Sequence, residues 1–128
     1  MKTHYTLAIG MFVGAVIGAL TIGGLQAQNK QPGAYFVSEI NVTNQDVYMK
    51  DYASKVGATF QPFGGQYLSR GAKVVATDGE APQRVVIIAF DSAQKAADWR
   101  KSAAYQALVP VRDKSSKVRS YAVDAKVN

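Results

Sequence analysis

No cysteine occurs in this 128-residue chain, and its single histidine, His4, stands at the amino terminus ahead of a long apolar run. The rest of the chain therefore has neither thiol nor imidazole. Disulfides, Cys nucleophiles, CxxC redox pairs, Cys/His zinc sites, c-type haem attachment and His-based triads are excluded there. A lipid-modified amino-terminal cysteine is excluded as well. Neither GxxxxGK nor GxGxxG occurs, so no phosphate-cradling or dinucleotide loop is encoded. Acids are scarce: nine Asp and Glu stand against 15 Lys and Arg, a formal net charge of +6. Asp78 and Glu80 share a loop, but two carboxylates beside a glycine do not make a calcium site. No metal and no cofactor is expected. Any catalysis must rest on Glu, Asp, Tyr, Lys or Arg.

What the chain does have is an uncharged stretch, Thr6–Leu25, preceded by Lys2 and followed by Lys30. A basic start, an apolar core and Ala27 as a small residue at a cleavage point read as a secretory signal over residues 1–27. The run is also nearly long enough to span a bilayer. Gly10, Gly14 and Gly18 at GxxxG spacing would suit a retained helix packing closely on another. Cleaved or anchored, the remaining chain is expected outside the cytoplasm, periplasmic or secreted, because the positive end stays inside. Membrane contact is expected only if residues 6–25 are kept as an anchor.

Residues 28–33 form a polar lead-in, and residues 34–128 read as one domain. Ala34–Val42 alternates Tyr35, Val37 and Glu39 with Phe36, Ser38 and Ile40, a strand pattern. Thr43 opens a helix with Asp46 in its first turn. Within Asn44–Phe60, Met49, Ala53, Val56 and Phe60 mark one helical stripe, which Pro62 and Gly64-Gly65 end. Gln66–Arg70 and Lys73–Thr77 predict a second strand, bulged at Gly71. Arg84–Phe90, continuously apolar after its arginine, predicts a central strand. Asp91 or Ser92 caps a helix to Lys101, Ser102 restarts a shorter one through Leu108, and Pro110 ends or kinks it. Lys117–Val123 is the last strand.

Strand–helix–strand–strand–helix–strand is the ferredoxin-like order, βαββαβ: an α+β fold, a four-stranded antiparallel sheet with two helices on one face. Helices cover only that face. Tyr35, Val37, Leu68, Val85 and Ile87 would leave an apolar patch on the other. A second copy pressed sheet to sheet is the simplest cover, so a homodimer is expected.

The segments AYFVSEINVTNQDVYMKDY, FGGQYLSRG, PQRVVIIAFDSAQKAADW and SAAYQALVPVR resemble, in order and spacing, the domain-of-unknown-function 1330 family. The resemblance covers nearly all of Ala34–Val123. It implies a dimeric α+β barrel and leaves activity undefined. Phe63 stands where the family often has His, Gln66 where Arg is frequent, Arg100 where Tyr is usual and Ala104 where Glu is common. Chemistry that a relative builds on that His or Glu is lost here.

Tyr48 and Tyr52, four residues apart, share a flank of the first helix. They either line a cavity between helix and sheet or simply pack with their hydroxyls in water. Trp99 and Tyr105 invite the same two readings, and the resemblance implies that the four aromatics frame one region. Arg70, at a strand end, could hold an anion through its planar fork or pair with Glu39, the acid within a predicted strand. A buried Glu39 would need such a partner or keep its proton and serve as an acid or base. Ser92-Ala93-Gln94-Lys95 matches SxxK, but SDN and KTG are missing and Ser92 reads as a helix cap. Eight basic residues against three acids from Lys95 onward read as a solvated face. No nucleic-acid partner is expected of an exported domain.

The reading that follows is an uncharacterised exported homodimer that binds a small ligand between sheet and helices, with Tyr48, Tyr52, Arg70, Trp99 and Tyr105 as ligand-binding candidates. An alternative is a cofactor-independent enzyme, oxygenase- or isomerase-like by fold analogy, with Glu39 as catalytic candidate. A membrane-tethered interaction module is the third.

Overall fold

Alternation along the first strand decides which way the sheet faces. In β1, Ala34–Val42, the side chains of Ala34, Phe36, Ser38 and Ile40 are buried, and Tyr35, Val37 and Glu39 are half-buried on the opposite side. The partners are β2 (Gln66–Ala72), β3 (Arg84–Phe90) and β4 (Ser116–Asp124), in the order β2-β3-β1-β4. Each pairing is antiparallel, and Val37 lies between Ile87 and Tyr121, Glu39 between Val85 and Arg119. This is the ferredoxin-like α+β architecture. The computed structural model describes residues 31–125. The choice between cleaved signal and anchor, which rests on Thr6–Leu25, lies outside the described residues. Among the described residues no helix is long and apolar enough to cross a membrane.

The first helix, α1, spans residues 45–60 in three windings: an α-turn at Gln45–Val47, a π-helical stretch at Tyr48–Ala53 and an α-helix at Ser54–Phe60. Its cap is Asn44 rather than the expected Thr43. Thr43 and Asn44 both donate their amides to the Ser115 carbonyl, which holds the chain extended. The Asn44 Oδ1 then accepts from the Val47 amide at 3.2 Å.

The buried stripe also differs from the expected one. Met49 is 41% exposed, while Tyr48, Tyr52, Val56 and Phe60 are buried. Those four recur every fourth residue, and a regular α-helix would swing the last about 120° away from the first. The wider π-turn absorbs that drift and keeps all four toward the sheet. Insertions of this kind frequently sit at functional sites.

The chain leaves α1 through a 3-10 turn, Gln61–Phe63, and Gly64 in the left-handed region. Gly71, with φ of 71°, makes the expected bulge in β2, and the pairing register shifts between Arg70 and Ala72. Lys73–Thr77 is not strand as expected. Ala72 already faces Val85, near the start of β3, so later residues have no strand to pair with. The loop of residues 73–83 is tied back instead. The Gln83 side chain accepts from the Val42 amide at 2.9 Å, and Asn41 accepts from the Gln83 amide at 3.0 Å.

Past β3, α2 (Ala93–Lys101) is capped by Ser92, whose Oγ accepts from the Lys95 amide at 3.1 Å. Ser102 caps α3 (Ala103–Gln106). Pro110 neither ends nor kinks that helix. It sits in the first turn of a further one, α4 (Val109–Ser115), where a fixed φ and a missing N–H suit proline.

Trp99 joins these layers. Its ring meets Phe36 edge-on at 5.0 Å, Phe60 at 5.8 Å and Tyr105 at 4.6 Å, and it stacks on Phe90 at 5.6 Å. The indole N–H donates to the Thr59 Oγ1 at 3.0 Å, so this buried polar group is satisfied. Deleting Phe60 from this cluster is expected to cost about 3–5 kcal/mol in urea unfolding. Met49→Ala, by the π-turn register, should cost under about 1 kcal/mol. Equal losses at the two positions would refute the register.

Candidate functional site

Between α1 and the sheet the packing leaves a cavity of about 30 Å³. Phe36, Ile40 and Ile88 from the strands and Val56 and Trp99 from the helices make its apolar wall. Tyr48, Tyr52 and Tyr67 add hydroxyls, and Arg70 and Arg84 bring two guanidinium groups. The cavity lining contains no carboxylate. Four of the five residues singled out from the sequence thus share one cavity: Tyr48, Tyr52, Arg70 and Trp99. The fifth, Tyr105, stands behind Trp99 rather than in the lining. Its hydroxyl accepts from Arg112 at 2.6 Å and from Arg100, whose guanidinium lies over the same ring at 4.7 Å.

The three lining tyrosines are held neutral. Burial is the main cause that pushes the Tyr52 hydroxyl well above the ordinary phenol value of 10, and neighbouring Tyr105 adds to it. Burial raises Tyr48 and Tyr67 too, against an opposing pull from Arg84 on the first and Arg70 on the second. The cavity therefore presents phenol O–H groups, which can donate.

Arg70 and Arg84 come from neighbouring strands on the helix-covered side. Arg70 faces Val86, and Arg84 lies two residues before Val86 in β3. Arg70 donates to the Ala53 carbonyl at 3.3 Å and lies over the Tyr67 ring at 4.9 Å. The Arg84 guanidinium lies 5.7 Å from the Tyr48 ring centre and passes over Gly71 so closely that a Cβ there would be 2.4 Å away. Gly71 thus serves twice, as bulge and as the gap through which Arg84 reaches the cavity. Sequence reasoning missed Arg84 and Tyr67. Strand parity could have found Arg84, because it shares a face with Val86, Ile88 and Phe90.

Glu39 is not where the sequence argument needed it. It lies on the uncovered side of the sheet, away from the cavity, and Arg70 does not pair with it. Its partner is Arg119 directly across the strand pair, at 2.9 Å, and Tyr121 donates to the same carboxylate at 3.0 Å. The Arg119 hydrogen bond, followed by that of Tyr121, holds Glu39 below the ordinary carboxylate value of 4.5, so it carries no proton at neutral pH. The shift is thus opposite in direction to the one a buried, unpaired Glu39 would show. The same side carries Tyr35, Val37, Leu68, Ile87 and Val123 as a shallow apolar depression, with Leu68 59% and Val123 47% exposed.

The fold and cavity define a ferredoxin-like α+β protein with an aromatic, arginine-bearing chamber under its helices. The chain belongs to the family called domain of unknown function DUF1330, whose pattern matches residues 33–126. A protein of unknown function from Rhodopseudomonas palustris has a similar structure, with a TM-score of 0.61 at 14% identity, over 84% of this chain and 93% of that one. SnoaB, a cofactor-independent oxygenase from Streptomyces nogalater, is similar at 0.51 and 13% identity, over 76% of this chain and 96% of its own. A conserved protein from Bacteroides thetaiotaomicron, described as a possible oxidoreductase, follows at 0.50 and 12%, over 74% and 99%. Likeness at such identities shows the fold alone. No curated protein matches the chain in sequence.

Two titrations check the electrostatics. The raised pKa of Tyr52 contributes stability that is present below the unfolded phenol value of about 10 and is lost as pH rises through the folded value. Tyr52→Phe should therefore move the alkaline unfolding midpoint, followed by circular dichroism, to higher pH; an unmoved midpoint would refute its buried neutral state. The lowered pKa of Glu39 contributes stability above the unfolded carboxylate value, lost as pH falls through the folded one. In a carbon-detected NMR titration Glu39 should ionise below 4.5, and Arg119→Leu should raise it.

Proposed function

We propose that this protein is an exported homodimer that holds a small ligand in the cavity between sheet and helices of each subunit. The observation that carries the reading is the cavity itself. It gathers three neutral tyrosines, a tryptophan and two arginines, Arg84 half-buried and Arg70 exposed at the edge, around one largely apolar space. Apolar walls with a few convergent polar groups are the usual character of a small-molecule site.

The second copy is assigned to the uncovered sheet face. Its centre is apolar, and the Glu39–Arg119 pair lies on the same face. A two-fold axis through such a patch would set each apolar centre on the other and let the charged pairs meet reciprocally. Export rests on the uncharged Thr6–Leu25 stretch following Lys2.

A cofactor-independent enzyme is the second reading, favoured by the fold shared with SnoaB. In that case proton transfer would fall to the tyrosines, because Glu39 faces away from the cavity.

Native mass spectrometry of protein taken from its own cell envelope tests the proposal. The expected species is a dimer beginning after Ala27, with a small molecule retained, and Val37→Asp should give monomers. A monomeric wild type would overturn the dimer. A wild-type dimer free of any adduct, in protein that also takes up no metabolite from envelope extract, would overturn the ligand reading.

A further inference from the structure

The two cavity arginines differ from most other arginines of the domain. Among the described residues, Arg112 pairs with Asp113 and Arg119 with Glu39. Arg100 is engaged by Tyr105. Neither Arg70 nor Arg84 forms an ion pair among the described residues. Arg70 has one long bond to a carbonyl. Arg84 has a buried Nε with no hydrogen-bond partner. An unsatisfied donor on a permanently charged group is costly to bury. Arg70, exposed at the cavity edge on the adjacent strand, is a second cation beside it, and the lining holds no carboxylate to answer either charge.

We infer that the ligand is a small organic acid, its carboxylate held between Arg70 and Arg84 and its apolar part against Trp99 and Phe36. This deepens the small-ligand reading and rests on it. A carboxylate supplies what the cavity lacks: a negative charge for both guanidiniums and an acceptor for the orphaned Arg84 Nε, in the fork geometry that arginine matches best. The phenol O–H of Tyr48 or Tyr67 can donate to the same carboxylate. The free space, about 30 Å³, admits the anionic head as the chamber stands. The body of a longer acid extends from that head toward the exposed Arg70 side of the chamber.

Trp99 is the single tryptophan of the chain and lines the cavity, so its emission reports on occupancy directly. The full chain is titrated with acetate, butyrate and hexanoate, with the corresponding neutral amides and with inorganic phosphate, by Trp99 fluorescence and calorimetry at fixed ionic strength. The acids should bind about tenfold or more tightly than their amides, the size expected of charge-assisted hydrogen bonds. Arg84→Gln and Arg70→Gln should each remove that preference while leaving amide binding in place, and Arg84→Lys should restore it in part. Thermal melts establish that each variant is folded, and the acid–amide comparison on wild-type protein decides the matter even if a variant is not. Acid and amide binding equally would overturn the carboxylate assignment and leave the ligand reading standing. Phosphate binding in place of the acids would also overturn it. No binding by any probe, in emission or heat, would overturn both.

Discussion

The aromatic contacts of Trp99 are the interaction on which the rest of this structure depends. One side chain on α2 touches β1 through Phe36, β3 through Phe90, α1 through Phe60 and α3 through Tyr105. Edge-on and offset ring pairs of this kind add to the burial they accompany. The cluster fixes the distance between the helical layer and the sheet. It also leaves the neighbouring space beneath the π-turn of α1 incompletely filled, and that space is the cavity. The same ring that holds the layers together is therefore one wall of the site.

The sheet has two faces with separate roles, and strand alternation, reset in β2 by its register shifts, assigns the side chains to one or the other. On β1, Phe36, Ser38 and Ile40 serve the core and the cavity, while Tyr35, Val37 and Glu39 serve the uncovered face. Arg70 and Glu39, which a sequence argument could join, are separated by the sheet. Their partners follow from that. Glu39 finds Arg119 in the adjacent strand, and Arg70 is left with Arg84 and the tyrosines.

Much of the fold was legible in the sequence because it rests on local periodicity. Ala34–Val42 and Arg84–Phe90 alternate or run apolar strongly enough to mark their bounds, and Ser92 and Ser102 cap as their chemistry implies. The failures share a physical cause: they are decided by partners distant in the chain. Thr43 looks like a cap until the Ser115 carbonyl holds it extended. Met49 fits a 3.6-residue stripe until the π-turn rotates it outward. Pro110 reads as a stop but opens α4. The site was half legible: Tyr48, Tyr52, Arg70 and Trp99 meet as their residue types suggested. Arg84 escaped notice because it opens an apolar run, and its path across Gly71 is a matter of tertiary geometry.

The central claim is that the chamber under the helices, and not the open sheet, is built to receive a small anion. A crystal structure of the protein grown in bromide tests it most directly, because bromide is small enough for the chamber and its anomalous signal locates it without ambiguity. The account predicts a strong bromide peak between the Arg70 and Arg84 guanidiniums, within reach of Arg84 Nε. Bromide confined to surface lysines and arginines, with no peak inside the chamber, would contradict it.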